Sequence, residues 1–159
     1  MKVLIVSDTH GGHGSLDMVI EKEEPFDMLL HLGDVEGGDD YIEAVVDCPV
    51  HIVKGNNDFF AQLPSDKEIK LEGHRIFMTH GHGYYVSTGE EHLLREARLR
   101  QADIALYGHT HRPSIREKEG VLIMNPGSLR HPRQEGRRPS YIVMEISRGE
   151  PVKAEIRYL

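Results

Sequence analysis

The chain begins with an apolar run that indicates a strand buried on both faces. Residues 3–6 read Val-Leu-Ile-Val and are followed at once by Ser7 and Asp8. A continuous β-branched run of this length is typical of a parallel sheet that helices cover on both sides. Three more runs that stop at polar residues also predict strands: 28–32, 50–53 and 104–107.

Positions with helical spacing lie between these runs. Leu16, Val19 and Ile20 mark one face of a predicted helix. Residues 41–46 predict a second helix, and residues 90–100 predict a third. The apolar side of the third helix is expected to consist of Leu93, Leu94, Ala97 and Leu99.

The second half of the chain has the pattern of antiparallel strands. Residues 69–71 and 75–79 flank a short turn, as expected for a hairpin. A polar loop rich in arginine and proline follows at 130–139. Later strands are predicted over 121–124, 141–146 and 152–158. Strand–helix–strand units first and antiparallel strands later indicate one α/β domain over residues 1–159.

Composition and charge exclude several classes of protein. The 159 residues suit one domain, and 38% hydrophobic residues are enough for a core, which excludes a disordered chain. The formal charge of −7 argues against non-specific binding to nucleic acid or to an anionic membrane. Cys48 is the only cysteine, and the N-terminal apolar run is shorter than the roughly 7–15 residues of a secretory segment. We therefore expect a cytoplasmic protein with no membrane partner and no evident nucleic-acid track.

Histidine is unusually frequent, with 11 residues, and several of them stand where predicted strands end. Five strand ends carry polar groups: Asp8-Thr9-His10, Gly33-Asp34, Gly55-Asn56-Asn57-Asp58, His80-Gly81-His82 and Gly108-His109-Thr110-His111. The carboxyl ends of the strands in an open α/β sheet form its ligand-binding edge. Carboxylates and imidazoles that meet at this edge predict a metal site.

Each of these groups also has an ordinary structural explanation when it is taken alone. Asp-x-His occurs often by chance, and Gly33-Asp34 fits a turn or the start of a helix. Asn56 and Asn57 fit a loop with positive φ. The joint occurrence of the groups, each at a strand end, favours the metal site.

Together the motifs resemble those of the calcineurin-like metallophosphoesterase superfamily, and more narrowly those of its small bacterial and archaeal phosphodiesterases of the YfcE type. The resemblance rests on the five strand-end groups and on the segment Asn125-Pro126-Gly127-Ser128, and it spans most of the chain. It implies an α/β fold with two packed mixed β-sheets flanked by helices, a four-layer αββα sandwich. Because relatives are often dimers or tetramers, it also implies a possible homo-oligomer.

The resemblance further implies two adjacent divalent metal ions per chain. Mn²⁺ is the expected metal, and Ni²⁺, Fe, Zn²⁺ or Mg²⁺ also suit mixed oxygen and nitrogen ligands. The first ion would be held by Asp8, His10 and His111. The second ion would be held by Asn56, His80 and His109, with the carboxylate of Asp34 bridging both ions.

Such a centre implies hydrolysis of a small phosphoester. Two ions about 3.5–4 Å apart activate the water between them and neutralise the phosphoryl oxygens, which places Asp34 and Asn56 at the reaction centre. His13 and His82 lie in the site loops and are expected to contact the phosphate or to shuttle a proton. Many relatives carry a histidine that protonates the leaving group where this chain has Asn57. That difference favours a diester with a good leaving group.

Other functions of the same fold stay open. A phosphomonoesterase or a nuclease would use the same site, although a nuclease would lack a basic track for its substrate. A non-catalytic scaffold, such as the eukaryotic retromer subunit of this fold, should have lost metal ligands, whereas all seven positions hold competent side chains. Bound divalent ions would concentrate positive charge at one edge, so the net charge does not argue against an anionic substrate.

The remaining histidines are expected to have structural positions. His31 is expected to be buried behind the site. His131, with Arg130 and Arg133, either reaches the substrate or belongs to a solvated loop. Surface or strand-face positions are expected for His51, His74 and His92.

Overall fold

Two five-stranded β-sheets form the centre of the molecule. The computed structural model describes residues 1–159. The first half of the chain forms β1 (Lys2–Val6), α1 (Gly14–Glu23), β2 (Met28–His31), α2 (Asp39–Val45), β3 (Val50–Ile52), β4 (Asp66–Leu71) and β5 (His74–Thr79). The second half forms a one-turn 3₁₀ helix (His82–Tyr84), α3 (Glu91–Leu99), β6 (Ile104–Leu106), β7 (Ser114–Lys118), β8 (Val121–Asn125), β9 (Ser140–Glu145) and β10 (Lys153–Tyr158). None of the helices combines the length and the apolar character that crossing a membrane requires.

In each sheet three adjacent strands pair in parallel, and the other two strands pair antiparallel with their neighbours. The first sheet has the order β10-β9-β1-β2-β3, in which β1, β2 and β3 run parallel. The second sheet has the order β4-β5-β6-β8-β7, in which β5, β6 and β8 run parallel. The parallel strands of each sheet therefore bring their carboxyl ends to one edge, where ligands bind in folds of this type.

Alternating side chains of β1 contribute to two different cores. Val3 packs with Leu106 of the second sheet in a core that lies between the two sheets. Leu4 points to the opposite face of the strand and packs with Leu16 of α1. The outer face of the second sheet packs against α3 in a third core. The order of layers is helix, sheet, sheet, helix, so the predicted αββα sandwich is confirmed.

The structure contains every predicted strand and helix, together with two elements that the pattern does not predict. One is the 3₁₀ helix, and the other is β7, which reads Ser-Ile-Arg-Glu-Lys. β7 has a single apolar residue because it is an edge strand, where charged side chains are common. The prediction for Leu99 is wrong, because its side chain is 71% exposed. The helical period turns it away from the side on which Leu93 and Ala97 are buried.

Glu23 is a buried carboxylate that joins α1 to β1, β9 and β10. Its Oε1 accepts a hydrogen bond from the Tyr141 hydroxyl at 2.7 Å, and its Oε2 accepts one from Arg157 Nη1 at 2.7 Å. Lys2 Nζ lies 3.2 Å from Oε2. Burial raises the pKa of Glu23, but these partners outweigh burial and hold the pKa below its usual value.

Glu23→Gln should lower the free energy of unfolding at pH 7 by about 1.5–3 kcal/mol, because hydrogen bonds to a charged group are lost. A carboxyl group with a lowered pKa stabilises the fold above the pKa of the unfolded chain, and this contribution disappears as pH falls through the folded pKa. The effect of the substitution should therefore be constant above about pH 5.5 and shrink below about pH 4.5. Urea unfolding between pH 7 and pH 4 measures this, with exposed Glu21→Gln as the matched control. An effect that grows as pH falls would contradict the prediction.

Candidate metal centre

The predicted metal ligands lie on the loops that follow five parallel strands. Asp8 and His10 follow β1, Asp34 follows β2, and Asn56 follows β3 in the first sheet. The loops after β5 and β6 in the second sheet carry His80, His109 and His111. The two sheets thus present their ligand candidates to each other at one end of the sandwich.

Left-handed backbone at the ligand positions turns these loops back toward the site. Positive φ angles between 44° and 66° occur at five of the seven candidates: Asp8, His10, Asp34, His109 and His111. Non-glycine residues rarely adopt this conformation. Backbone hydrogen bonds fix it, because Asp8 N–H donates to Gly33 O at 3.0 Å and His10 N–H donates to Asp34 O at 2.9 Å.

Two glycines let the chain pass close to the ligand carboxylates. A Cβ atom on Gly55 would overlap both Oδ1 and the backbone nitrogen of Asp34. A Cβ atom on Gly108 would overlap the Ser7 hydroxyl and lie 2.9 Å from Asp8 Oδ2. A side chain at either position would displace a carboxylate, so the absence of Cβ is required for close approach.

Asp8, His10 and His111 form the first group of converging donor atoms. Asp8 Oδ1 lies 2.9 Å from His111 Nε2 and 3.7 Å from His10 Nε2. The two Nε2 atoms lie 3.4 Å apart. This is the set that the resemblance implies for the first ion.

His80 is the centre of the second group. Its Nε2 lies 3.0 Å from Asn56 Oδ1, 3.5 Å from Asp34 Oδ2 and 4.0 Å from Asp8 Oδ1. The imidazole ring of His109 lies 5.2 Å from the His80 ring, between centroids. The structure therefore brings together all seven predicted ligands, with Asp8 also facing the second group.

In three of the histidines, the Nδ1 atom, which faces away from the site, is hydrogen-bonded to an acceptor. His80 Nδ1 is 2.6 Å from Leu32 O, and His111 Nδ1 is 2.7 Å from His131 O. Since a carbonyl oxygen only accepts, both Nδ1 atoms must carry the proton. His10 Nδ1 pairs with Glu36 Oε1 at 2.6 Å in the same way. In the neutral tautomer each Nε2 then carries a lone pair that points into the site. Histidines that bind a metal have the same orientation.

Asp8 supports the same conclusion from the carboxylate side. Its side chain is fully buried, and its Oδ1 has no hydrogen-bond partner although His111 Nε2 is near. The other oxygen, Oδ2, accepts hydrogen bonds from the Ser7 hydroxyl at 2.6 Å and from His109 N–H at 3.2 Å. A buried oxygen that faces imidazole lone pairs is unfavourable unless a cation lies between them. The donor set therefore fits a divalent metal.

The charges at the site are strongly coupled. Burial raises the pKa of Asp34, but His80 and Asn57 outweigh it and hold the pKa well below its usual range. Burial lowers the pKa of His80, but Asp34 and Asp8 outweigh it and raise the pKa overall. Burial lowers the pKa of His31 to about 3. His31 is thus a neutral imidazole, whose Nδ1 accepts from Gly33 N–H at 3.1 Å and whose Nε2 donates to Thr9 Oγ1 at 3.0 Å; its predicted buried position is confirmed.

Asn57 and Asp58 hold the loops in place. The sequence pattern does not predict this positioning role for either residue. Asn57 donates two hydrogen bonds to Asp34, from its backbone N–H to Oδ1 at 2.8 Å and from Nδ2 to Oδ2 at 2.7 Å. The carboxylate of Asp58 accepts from the backbone N–H groups of Asp34, Glu36 and Gly55 at 2.7–2.8 Å. The signal for Asp58 was its place in the polar run after β3.

His82 and His13, for which a substrate role is predicted, have different surroundings in the structure. His82 is exposed on the 3₁₀ helix, with its ring 5.5 Å from the His80 ring and 6.1 Å from the His109 ring. His13 instead stacks on the ring of Tyr41 at 3.9 Å and lies against Gly38. The ring of His131 lies 5.0 Å from that of His10, at the rim of the first group.

Known proteins resemble this chain over most of its length. The family model described as "Calcineurin-like phosphoesterase superfamily domain" matches residues 1–149. A protein of Methanothermobacter thermautotrophicus named probable metallophosphoesterase is 33% identical over 98% of this chain and 91% of its own length. The phosphodiesterase YfcE of Escherichia coli is 31% identical over 84% of this chain and 82% of its own length. Among solved structures, wild-type Vps29 of Entamoeba histolytica complexed with Zn²⁺ is similar with a TM-score of 0.80, at 27% identity over 99% of both chains.

Proposed function

The chain belongs to the calcineurin-like phosphoesterase superfamily, and from this membership we propose that it is a metal-dependent phosphodiesterase that hydrolyses a small phosphoester. The observation that carries the proposal is the direction of the Nε2 atoms of His10, His80 and His111, which face the carboxylates of Asp8 and Asp34. The name of the E. coli relative supports a diester as the substrate.

The proposed centre holds two divalent ions, and Mn²⁺ is the proposed metal. Asp34 Oδ2 lies 3.9 Å from His10 Nε2 and 3.5 Å from His80 Nε2, so one carboxylate faces both groups of donors. Mixed oxygen and nitrogen donors without thiolate suit Mn²⁺ and its neighbours. Divalent ions bound there supply Lewis acidity and lower the pKa of a water molecule.

The residues of the chain orient the ligands and leave the site open to substrate. Leu32 O, His131 O and Glu36 fix the ring planes of the three histidines, and Asn57 fixes both oxygens of Asp34. Such partners raise ligand basicity and remove rotational freedom before the substrate arrives. We propose that His82, which is exposed beside the second group, contacts the phosphate or carries a proton. The same role is proposed for His13, which lies farther from the metal ligands, on the loop after β1.

Leaving-group chemistry favours a diester with a good leaving group. Asn57 stands where a histidine would protonate the departing oxygen, and an amide cannot donate a proton in that sense. Its two hydrogen bonds to Asp34 commit it to positioning the carboxylate instead. Without a general acid, which contributes about 10²–10⁴-fold, poor leaving groups should be cleaved slowly.

Asn57→Ala should weaken Mn²⁺ binding by about 10–100-fold, the usual cost of removing a group that orients a metal ligand. The backbone N–H of residue 57 still binds Asp34 in the variant, so the loss reports the Nδ2 hydrogen bond alone. Titration calorimetry of Mn²⁺ into metal-free protein measures the change, with exposed Gln62→Ala as the matched control. Equal Mn²⁺ affinity for Asn57→Ala and the unaltered chain would contradict the positioning role.

The proposed function is tested by metal analysis and a substrate screen on one preparation. The chain reconstituted with Mn²⁺ should hydrolyse bis(p-nitrophenyl) phosphate faster than p-nitrophenyl phosphate, and the screen extends to cyclic phosphodiesters. No turnover of any ester with Mn²⁺, Ni²⁺, Zn²⁺, Fe²⁺ or Mg²⁺ would overturn the proposal. Faster cleavage of the monoester would replace it with a phosphomonoesterase.

A further inference from the structure

A cluster of arginines lines a cavity beside the first group of metal ligands. The cavity has a volume of about 640 Å³ and no apolar side chain except that of a proline in its wall. Its lining residues are Arg112, Arg130, His131, Pro132, Arg133 and Arg137. We refer to its four arginines as the arginine cluster. All four are exposed, so their guanidinium groups are available to a ligand.

No carboxylate neutralises the arginine cluster. Other arginines do form ion pairs, such as Arg98 with Glu119 and Arg157 with Glu23. The four members of the cluster form none within 4.0 Å. In a chain with 26 acidic residues and a net charge of −7, four unpaired arginines around one cavity are a local excess of positive charge. Like charges held together repel one another unless an anion binds between them.

The arginine cluster is fixed to the metal centre through the backbone. Arg112 directly follows the ligand His111, and Arg133 N–H donates to His111 O at 3.0 Å. The guanidinium of Arg130 lies against Gly12, two residues after His10, where an added Cβ would approach its Nη1 to 2.7 Å. The cavity therefore opens next to the first group, since its lining residue His131 lies with its ring 5.0 Å from that of His10.

Ser128 holds the loop that carries three of the four arginines of the cluster. Its hydroxyl donates to Asp8 O at 2.9 Å and accepts from the N–H groups of Arg130 and His131 at 3.1 Å and 2.8 Å. Because Asp8 is itself a ligand candidate, one side chain links the position of the loop to the metal centre. The arginines on this loop are thus placed in a defined relation to Asp8.

We propose that the arginine cluster binds a second phosphate group of the substrate, so that the physiological substrate is a phosphodiester that carries another phosphate. The inference rests on the proposed function, since it names the substrate class of the same site. Guanidinium groups present paired N–H donors that match phosphate oxygens, and they remain charged at any physiological pH. A simple diester has one negative charge, and the metal ions alone would neutralise it. Four further cations beside that centre match a substrate of higher charge.

The size and setting of the cavity favour a small molecule as its occupant. The adjoining cavity shares Arg112 and Arg133, but its other two cations, Arg116 and Lys118, lie within 4.0 Å of the carboxylates of Glu90 and Glu91. A nucleic-acid strand would require a continuous basic track that neutralises several phosphates along its length. Strong competition by an oligonucleotide is therefore an outcome that would overturn the inference.

The test compares two chromogenic diesters that differ by one phosphate. Thymidine 5′-(p-nitrophenyl phosphate) carries only the reacting phosphate, and its 3′-phosphorylated analogue carries a second. The Mn²⁺ form of the unaltered chain should show a kcat/KM about 10–100-fold higher for the analogue, as expected for one or two charge-assisted hydrogen bonds. Arg130→Gln and Arg133→Gln should each lower this ratio by about tenfold. Arg148→Gln, on the turn between β9 and β10, removes the same charge elsewhere and should leave the ratio unchanged.

The outcomes separate this inference from the proposed function. Hydrolysis of both diesters with a ratio near one would overturn the inference and leave the phosphodiesterase in place. If neither is hydrolysed, calorimetry with the Mn²⁺ form compares binding of thymidine 3′,5′-bisphosphate and thymidine 5′-phosphate. Tighter binding of the bisphosphate that is lost in Arg130→Gln supports the second-phosphate site, and equal binding overturns it. Inhibition by a ten-residue oligothymidylate that is stronger than inhibition by the bisphosphate would assign the cluster to nucleic acid and also overturn the inference.

Discussion

Asp34→Ala should reduce kcat/KM for bis(p-nitrophenyl) phosphate by well over the roughly 100-fold that follows when only an outer partner of a metal ligand is lost. Asp34 Oδ2 faces both groups of donors, at 3.9 Å from His10 Nε2 and 3.5 Å from His80 Nε2. Its removal takes a negative charge and a ligand from both proposed ions at once. The variant should therefore also lose bound metal, which elemental analysis of the purified protein measures.

The fold should survive this substitution well enough for the comparison to be meaningful. Asp34 lies in a loop at the end of β2, and the backbone N–H that Asp58 accepts is still present in the variant. Circular dichroism and thermal unfolding of the metal-free proteins check this. Asp40→Ala on the exposed side of α2 removes an equal charge away from the site and should keep its rate and metal content. Wild-type metal content and rate in Asp34→Ala would show that Asp34 bridges nothing.

Removal of metal by EDTA should abolish hydrolysis completely, and Mn²⁺ should restore it. In the neutral tautomers, a bound cation would satisfy the lone pairs of three Nε2 atoms and Asp8 Oδ1 at once, and the proposed hydrolysis depends on that cation. The metal-free protein should also unfold at lower temperature, because a ligand that binds only the folded state stabilises it by mass action. Activity and melting temperature are measured on the same sample before chelation, after chelation and after addition of Mn²⁺.

A control for chelation is needed because EDTA can act on the assay as well as on the protein. EDTA that is already saturated with Mn²⁺, added in place of free EDTA, keeps the chelator concentration constant but cannot take up further Mn²⁺. Full activity after exhaustive dialysis against EDTA, in buffer freed of trace metals, would exclude metal-dependent hydrolysis. A melting temperature that does not respond to Mn²⁺ would place the ion outside the folded site.

Much of the fold follows from local patterns in the sequence. β1, β2 and β6 are mainly apolar runs that need no partner to be recognised, because strands buried on both faces are rich in apolar side chains. β7 has no such signal, because its pairing with β8 at the sheet edge is a property of the whole sheet. Leu99 shows the converse case, because an apolar residue within a helix is exposed when the helical period separates it from the buried face.

The residue types of the site follow from the sequence, but the residues that position the metal-ligand candidates do not. Strand ends place Asp8, Asp34 and His80 at one edge by topology alone, so their convergence follows from the order of motifs. The partnership of Asn57 with Asp34 spans 23 positions and two loops, and only the folded chain reveals it. The arginine cluster is similar, because Arg112 comes from the loop after β6 and its other members come from the loop after β8. No local pattern separates such arginines from ordinary surface charge.

The left-handed backbone at five of the seven ligand positions has a consequence for protein design. Each non-glycine residue in such a conformation costs on the order of 1–3 kcal/mol, which the surrounding structure has to offset. Copying Asp8-x-His10 onto the end of an ordinary strand would reproduce the donors without the turns that aim them. The smallest unit that preserves the direction of Asp8, His10 and Asp34 is the pair of loops after β1 and β2, joined by their backbone hydrogen bonds. A scaffold that accepts a graft of this centre must therefore already contain two parallel strands with matching register.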